Sequence, residues 1–214
     1  MPDYDPPADY DGTPRRYLLP AGSTLWHIHP KNRKATDFTP YRQGRRSGAG
    51  RFDGPYPAYN AGLDAATTLA ELLLGSIPLP AKGFRTLRRA SVAGRRVSAV
   101  ATAAELSLVS LCDAVDLAAV AQDVWLIHAE DCHDPRVRRW AEWLRAQAPW
   151  AAGFIWPPRR DVSQRAVVLF GDRCDSGALD PEPLFGVDLD DEYGAVWLNG
   201  ILVRYRVRIM PPAK

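Results

Sequence analysis

The chain has 214 residues, 46% of them apolar and 24% charged, with a formal net charge of +2. That is ordinary globular composition for a single domain with a substantial core, and direct nucleic-acid binding is not expected at so small a charge. No window approaches the roughly 18 apolar residues of a membrane span. Three irregularly spaced cysteines, Cys112, Cys132 and Cys174, argue against a disulfide framework and for a reducing compartment.

Residues 1–16, rich in Pro and Asp, predict a poorly ordered arm ahead of a single domain over 17–214. Their acidic start is the opposite of a secretion signal, so a cytoplasmic location is expected. Thr24 to His29 alternates as a first strand closed by Pro30, and residues 31–57, basic and punctuated by Gly and Pro, predict a long loop. Asp64 is a good N-cap for a helix over Ala65 to Leu74, with Gly75 at its C-terminal end. Strands are expected at Phe84 to Ala90 and Val97 to Thr102. Short helices follow at Ala103 to Ser110 and Asp116 to Gln122, then a strand at Val124 to His128. Asp134-Pro135 marks a strong helix start, with Val137, Trp140, Trp143 or Leu144, and Ala148 on its apolar stripe. Phe154 to Trp156 and Ala166 to Phe170 read as buried strands. Around Asn199-Gly200, the pattern predicts a hairpin with a type I′ turn, placing a C-terminal hairpin region at 184–210. The mosaic of elements is α+β.

Residues 50–74 concentrate the chemistry. Arg51 lies between Gly50 and Gly54, Tyr59 sits on a short extended piece, and Glu71 is the lone carboxylate on an otherwise apolar helix. Leu69, Leu72 and Leu73 form the buried stripe of that helix, and Glu71 falls near its edge. A carboxylate is rarely buried without a partner or a task, so Glu71 is the residue to explain.

The order of motifs resembles a known family. Leu25-Trp26-His27-Ile28-His29, Asp37-Phe38, Gly50-Arg51-Phe52, Tyr59 and Thr67-Thr68-Leu69-Ala70-Glu71 are similar to the successive blocks of the RES domain family. Trp140-Ala141, Gly153-Phe154-Ile155-Trp156 and Ala166 to Arg173 fit its later blocks, so the resemblance spans residues 17–173. It implies an ADP-ribosyltransferase-like split β core with flanking helices. It also implies a bacterial toxin that degrades NAD⁺ by breaking the nicotinamide–ribose bond, as a glycohydrolase or phosphorylase, with no cofactor beyond NAD⁺ as substrate. The implied partner is a cognate Xre-type helix-turn-helix antitoxin whose C-terminal segment plugs a basic cleft, with Arg42, Arg45, Arg46 and Arg51 pairing to its terminal carboxylate. Glu71 would stabilise the oxocarbenium-like ribose left when nicotinamide departs. Arg51 would hold the diphosphate bidentately and Tyr59 would stack on the nicotinamide ring.

This chain also departs from the family. Trp26-His27 stands where the family has Tyr-Arg, which leaves His27 to bond a ribose hydroxyl. The spacing from Tyr59 to Glu71 is one residue long, which suggests a bulge at Asn60. Pro158 occupies the place of the family serine, so Ser163 or Arg159 would have to substitute. Two alternatives follow: a catalytically weakened binding protein with the same fold, or an ADP-ribosyltransferase acting on a macromolecule. No metal site is expected, since His128, Cys132 and His133, with Glu130 and Asp131, do not have the spacing of zinc-binding knuckles.

Overall fold

The computed structural model describes residues 5–41, 50–74, 82–129 and 134–211. Eight strands form one mixed sheet: β1 Arg16–Leu19, β2 Thr24–Pro30, β3 Ala58–Gly62, β5 Arg95–Ala101, β6 Leu106–Ser110, β7 Gly153–Trp156, β8 Ala166–Phe170 and β9 Phe185–Asp188. Their order is β1-β6-β7-β8-β3-β2-β5-β9, and a separate parallel pair joins β4 Arg85–Leu87 to β10 Val207–Ile209. Helices α1 Ala65–Leu73, α2 Ala114–Ala118, α3 Trp125–His128, α4 Pro135–Gln147 and α5 Glu192–Leu202 flank it.

Strand order dictates the shape. β5 and β6 are joined by residues 102–105 yet stand near opposite ends of the sheet. The sheet therefore curls, and the Gly22 amide extends the β2–β5 pairing by bonding the Thr102 carbonyl at 2.7 Å. Side chains from both halves fill the inner face, with Leu25 and Val100 on one side and Leu108, Ile155 and Leu169 on the other. Outside, α2 to α4 cover one half of the sheet, and α1 and α5 cover the other. The halves join at β2 and β3, which pair only at Trp26↔Gly62 and His27↔Ala61. β2 pairs with β5 along its whole length, and β3 does so with β8. The β core is thus α+β and split, as expected.

Several local expectations hold for physical reasons visible in the structure. The Asp64 side chain accepts from the Thr67 amide at 2.9 Å and from its hydroxyl at 2.6 Å, which starts α1. Asp134 caps α4, Pro135 occupies its first turn, and Val137, Trp140, Ala141 and Leu144 are buried. On α1 the buried leucines are Leu69, Leu73 and Leu74, whereas Leu72 is only partly covered. Gly75 lies outside the described residues.

Other expectations are corrected. The C-terminal hairpin is instead helix α5, capped by Asp191 on the Gly194 amide. Asn199 makes no turn there. Its side chain donates to the Ile209 carbonyl at 2.9 Å and accepts from the Ile209 amide at 2.8 Å, clamping β10. Leu106 to Ser110, expected as helix, is strand β6, because β1 and β7 flank it on both sides. The strand expected at 124–128 is the short helix α3, where Asp123 accepts from the Trp125 amide at 2.7 Å and Leu126 and Ile127 are both buried, so alternation fails. Helix α2 starts earlier than expected because Asp113 caps it. No bulge interrupts β3 at Asn60, which registers with Val168.

The N-terminal segment is held at two points. The Tyr10 hydroxyl donates to the Ala119 carbonyl, its ring meets Trp143 edge-on at 4.7 Å, and Asp5 pairs with Arg139. No helix among the described residues is long and apolar enough to cross a membrane.

Candidate active site

The turn 50–53 enters β3 under a tight local network. The Gly50 amide donates to Asp53 Oδ2 at 3.3 Å, and Asn60 Nδ2 donates to Asp53 Oδ1 at 2.8 Å. A Cβ on Gly50 would stand 2.3 Å from Asn60 Oδ1, so only glycine admits this approach. Phe52 is fully buried, edge-on to Phe154 at 5.4 Å and to Trp156 at 4.9 Å. Anchored on both sides, the turn directs Arg51 at helix α1.

Arg51 and Glu71 meet there. Arg51 is 4% exposed, its Nη1 donates to the Ala129 carbonyl at 2.9 Å, and its Nε stands 3.7 Å from Glu71 Oε1. Glu71 projects from the same face of α1 as Asp64 and Thr68, toward Asn60 and Trp156. Burial pushes its carboxyl above the usual carboxylate range, while the Arg51 charge and donors from Trp156 and Arg51 pull it down. The enclosed gap they line is about 10 Å³, room for no more than one water.

His128, at the end of α3, lies within electrostatic range of Arg51. Its Nε2 lies 3.3 Å from the Pro157 carbonyl, and burial lowers its pKa, as do the nearby Arg51 and Arg159 charges. Arg159 thus stands near His128 and does not line the Arg51–Glu71 gap. Ser163 does not reach it, being exposed with its hydroxyl donating to Asp161 Oδ1 at 2.8 Å. Asp161 also accepts from the Tyr205 hydroxyl at 2.7 Å.

His27 and Tyr59 form a second pair on the inner face, across β3 from Asn60. Their rings stack at 4.1 Å, and the Tyr59 hydroxyl donates to the Ala35 carbonyl at 3.1 Å. His27 Nδ1 donates to the Asn60 carbonyl at 2.7 Å, which leaves Nε2 as a buried acceptor with no partner among the described residues. Burial lowers the His27 pKa to about 4, so the ring is neutral, and burial raises that of Tyr59. Neither side chain lines the Arg51–Glu71 gap.

A model of the RES domain family matches residues 24–197. The chain belongs to the RES domain family. A chain of the crystal structure of the M.tuberculosis MbcT-MbcA toxin–antitoxin complex shares the fold, with a TM-score of 0.56 and 18% identity over 80% of this chain and 86% of that one. No curated protein matches the sequence.

Within this RES domain, the structure brings together Arg51 and Glu71, sets His27 and Tyr59 on the inner face of the sheet, and leaves Ser163 outside, with Arg159 near His128. Sequence reasoning missed Asp53, Asn60, Trp156 and His128 as site residues. A sequence signal existed for Asp53 and Trp156, since both adjoin motif residues. His128 gave none, because it comes near Arg51 through a four-residue helix remote in sequence. Among the described residues, no group of three metal-ligating side chains occurs; Glu130, Asp131, Cys132 and His133 lie outside them.

Proposed function

We propose that this RES domain is the toxin of a toxin–antitoxin pair and degrades NAD⁺ by breaking its nicotinamide–ribose bond. The observation that carries the reading is the Arg51–Glu71 pair, a carboxylate and a guanidinium held at 3.7 Å in a small site between helix α1 and the outer face of β3, β7 and β8. When nicotinamide leaves with the electron pair of the C1′–N bond, the ribose carbon gains oxocarbenium character. A carboxylate at that carbon stabilises the charge and orients the incoming water or phosphate oxygen. Arg51, freed from Glu71 by the substrate, suits the diphosphate bidentately, and Arg159 adds positive charge near His128. NAD⁺ is far larger than the present gap, so its entry requires the Arg51 turn and α1 to part.

A second reading is a RES-fold binding protein with weakened chemistry. The buried, neutral His27, stacked on Tyr59 and not lining the Glu71 gap, favours it. A structural neighbour solved as a toxin–antitoxin complex supports a partner for this chain, which we assign to a helix-turn-helix antitoxin of Xre type. Arg42, Arg45 and Arg46, the expected anchors of its C-terminal segment, lie outside the described residues.

The test is to incubate the purified chain with NAD⁺ and measure free nicotinamide. Wild type is expected to release it, and Glu71→Ala to lose about 10²-fold or more. Binding of NAD⁺ without any release favours the weakened-chemistry reading. Label transferred from NAD⁺ onto protein or nucleic acid indicates a transferase.

A further inference from the structure

Each polar side chain around the Glu71 gap can be followed to its partners. Asn60 Nδ2 is committed to Asp53, Thr68 Oγ1 to the Trp26 and Asp64 carbonyls, and Arg51 Nη1 to Ala129. Trp156 differs. It is 1% exposed, it lines the same gap, and among the described residues its Nε1 completes no close hydrogen bond, though it acts on the Glu71 carboxyl as a donor. A buried indole N–H normally finds an acceptor, because leaving it unpaired costs the full desolvation of the donor. Glu71 is the acceptor across the gap.

Trp156 is also poor at being anything but a donor there. Its ring is gripped edge-on by Phe52, the neighbour of Arg51, and its strand β7 pairs with β8 through Trp156↔Ala166. One turn therefore sets both the guanidinium and the indole against a single carboxylate.

We propose that the Trp156 indole N–H positions Glu71 by donating to its carboxylate across the gap they share. Trp156 is a positioning residue, acting on the ribose only through Glu71. The proposal deepens the NAD⁺-cleaving reading, but its decisive measurement is independent of turnover.

In wild type, the ¹H–¹⁵N indole resonance of Trp156, assigned with Trp156→Phe, is followed against pH. It should shift with the titration of the Glu71 carboxyl, observed by ¹³C, and lose that dependence in Glu71→Gln. In Trp156→Phe, which keeps a ring against Phe52, the Glu71 midpoint should rise by about one pH unit. The acidic limb of nicotinamide release should move up with it, kcat falling about tenfold and KM staying within about twofold. An indole resonance unmoved while Glu71 titrates overturns the proposal. Absence of nicotinamide release in wild type removes the enzymatic reading alone, since the indole titration still decides the role of Trp156.

Discussion

Two buried polar pairs sit back to back in this protein and are satisfied in opposite ways. Outside the sheet, Arg51 and Glu71 carry opposite charges, and each tempers the burial cost of the other. Inside, His27 and Tyr59 avoid charge altogether: the imidazole is neutral, the phenol stays protonated, and the two stack. Asn60 joins them, giving its carbonyl to His27 and its amide to the Asp53 turn that carries Arg51. The contrast separates a charge pair that a ligand can open from a neutral stack that holds the two sheet halves together.

Breaking the outer pair gives the largest expected effect. Arg51→Met leaves Glu71 buried without its counter-charge, so urea unfolding should show a loss of about 3–5 kcal/mol, and the Glu71 carboxyl should titrate at still higher pH. The inner pair should respond to acid instead. With His27 held at about 4 in the fold against about 6.5 unfolded, its contribution is complete above pH 6.5. That contribution is lost as pH falls from 6.5 toward 4, amounting to about 3 kcal/mol. Urea midpoints for wild type and His27→Phe should diverge in this pH dependence and in no other range. Asn60→Ala tests the bridge: Asp53 loses a donor, for about 1–3 kcal/mol, and nicotinamide release should fall as the Arg51 turn loosens. Ser163→Ala should change least, with stability within about 0.5 kcal/mol and nicotinamide release unaltered, since its exposed hydroxyl bonds Asp161 at the surface.

Much of this was legible in the sequence where a local signal decided the structure. Asp64 and Asp134 announce their helices because an N-cap acts within one turn. Glu71 stood out because a carboxylate on an apolar helix is costly, and the structure supplies Arg51 beside it. Asn199-Gly200 misled for the converse reason. Its turn propensity is weak beside the burial of Leu198 and Leu202 against α1 and the Ile209 clamp. Residues 124–128 and 106–110 were exchanged in type because both are short apolar runs, and only their neighbours distinguish strand from helix. That His27 and Tyr59 share a face opposite Asn60 follows from strand alternation, yet the split between β2 and β3 depends on pairing invisible in the sequence.

β4 finds its partner in β10, paired from Val207↔Arg85 to Ile209↔Leu87, and Leu198 and Leu202 complete the apolar layer over Leu69 and Leu73. A chain still emerging from the ribosome thus carries its acidic helix without the packing that seats it. Catalytic competence, on the reading given above, therefore depends on packing supplied by α5 and β10, far along the chain from Glu71.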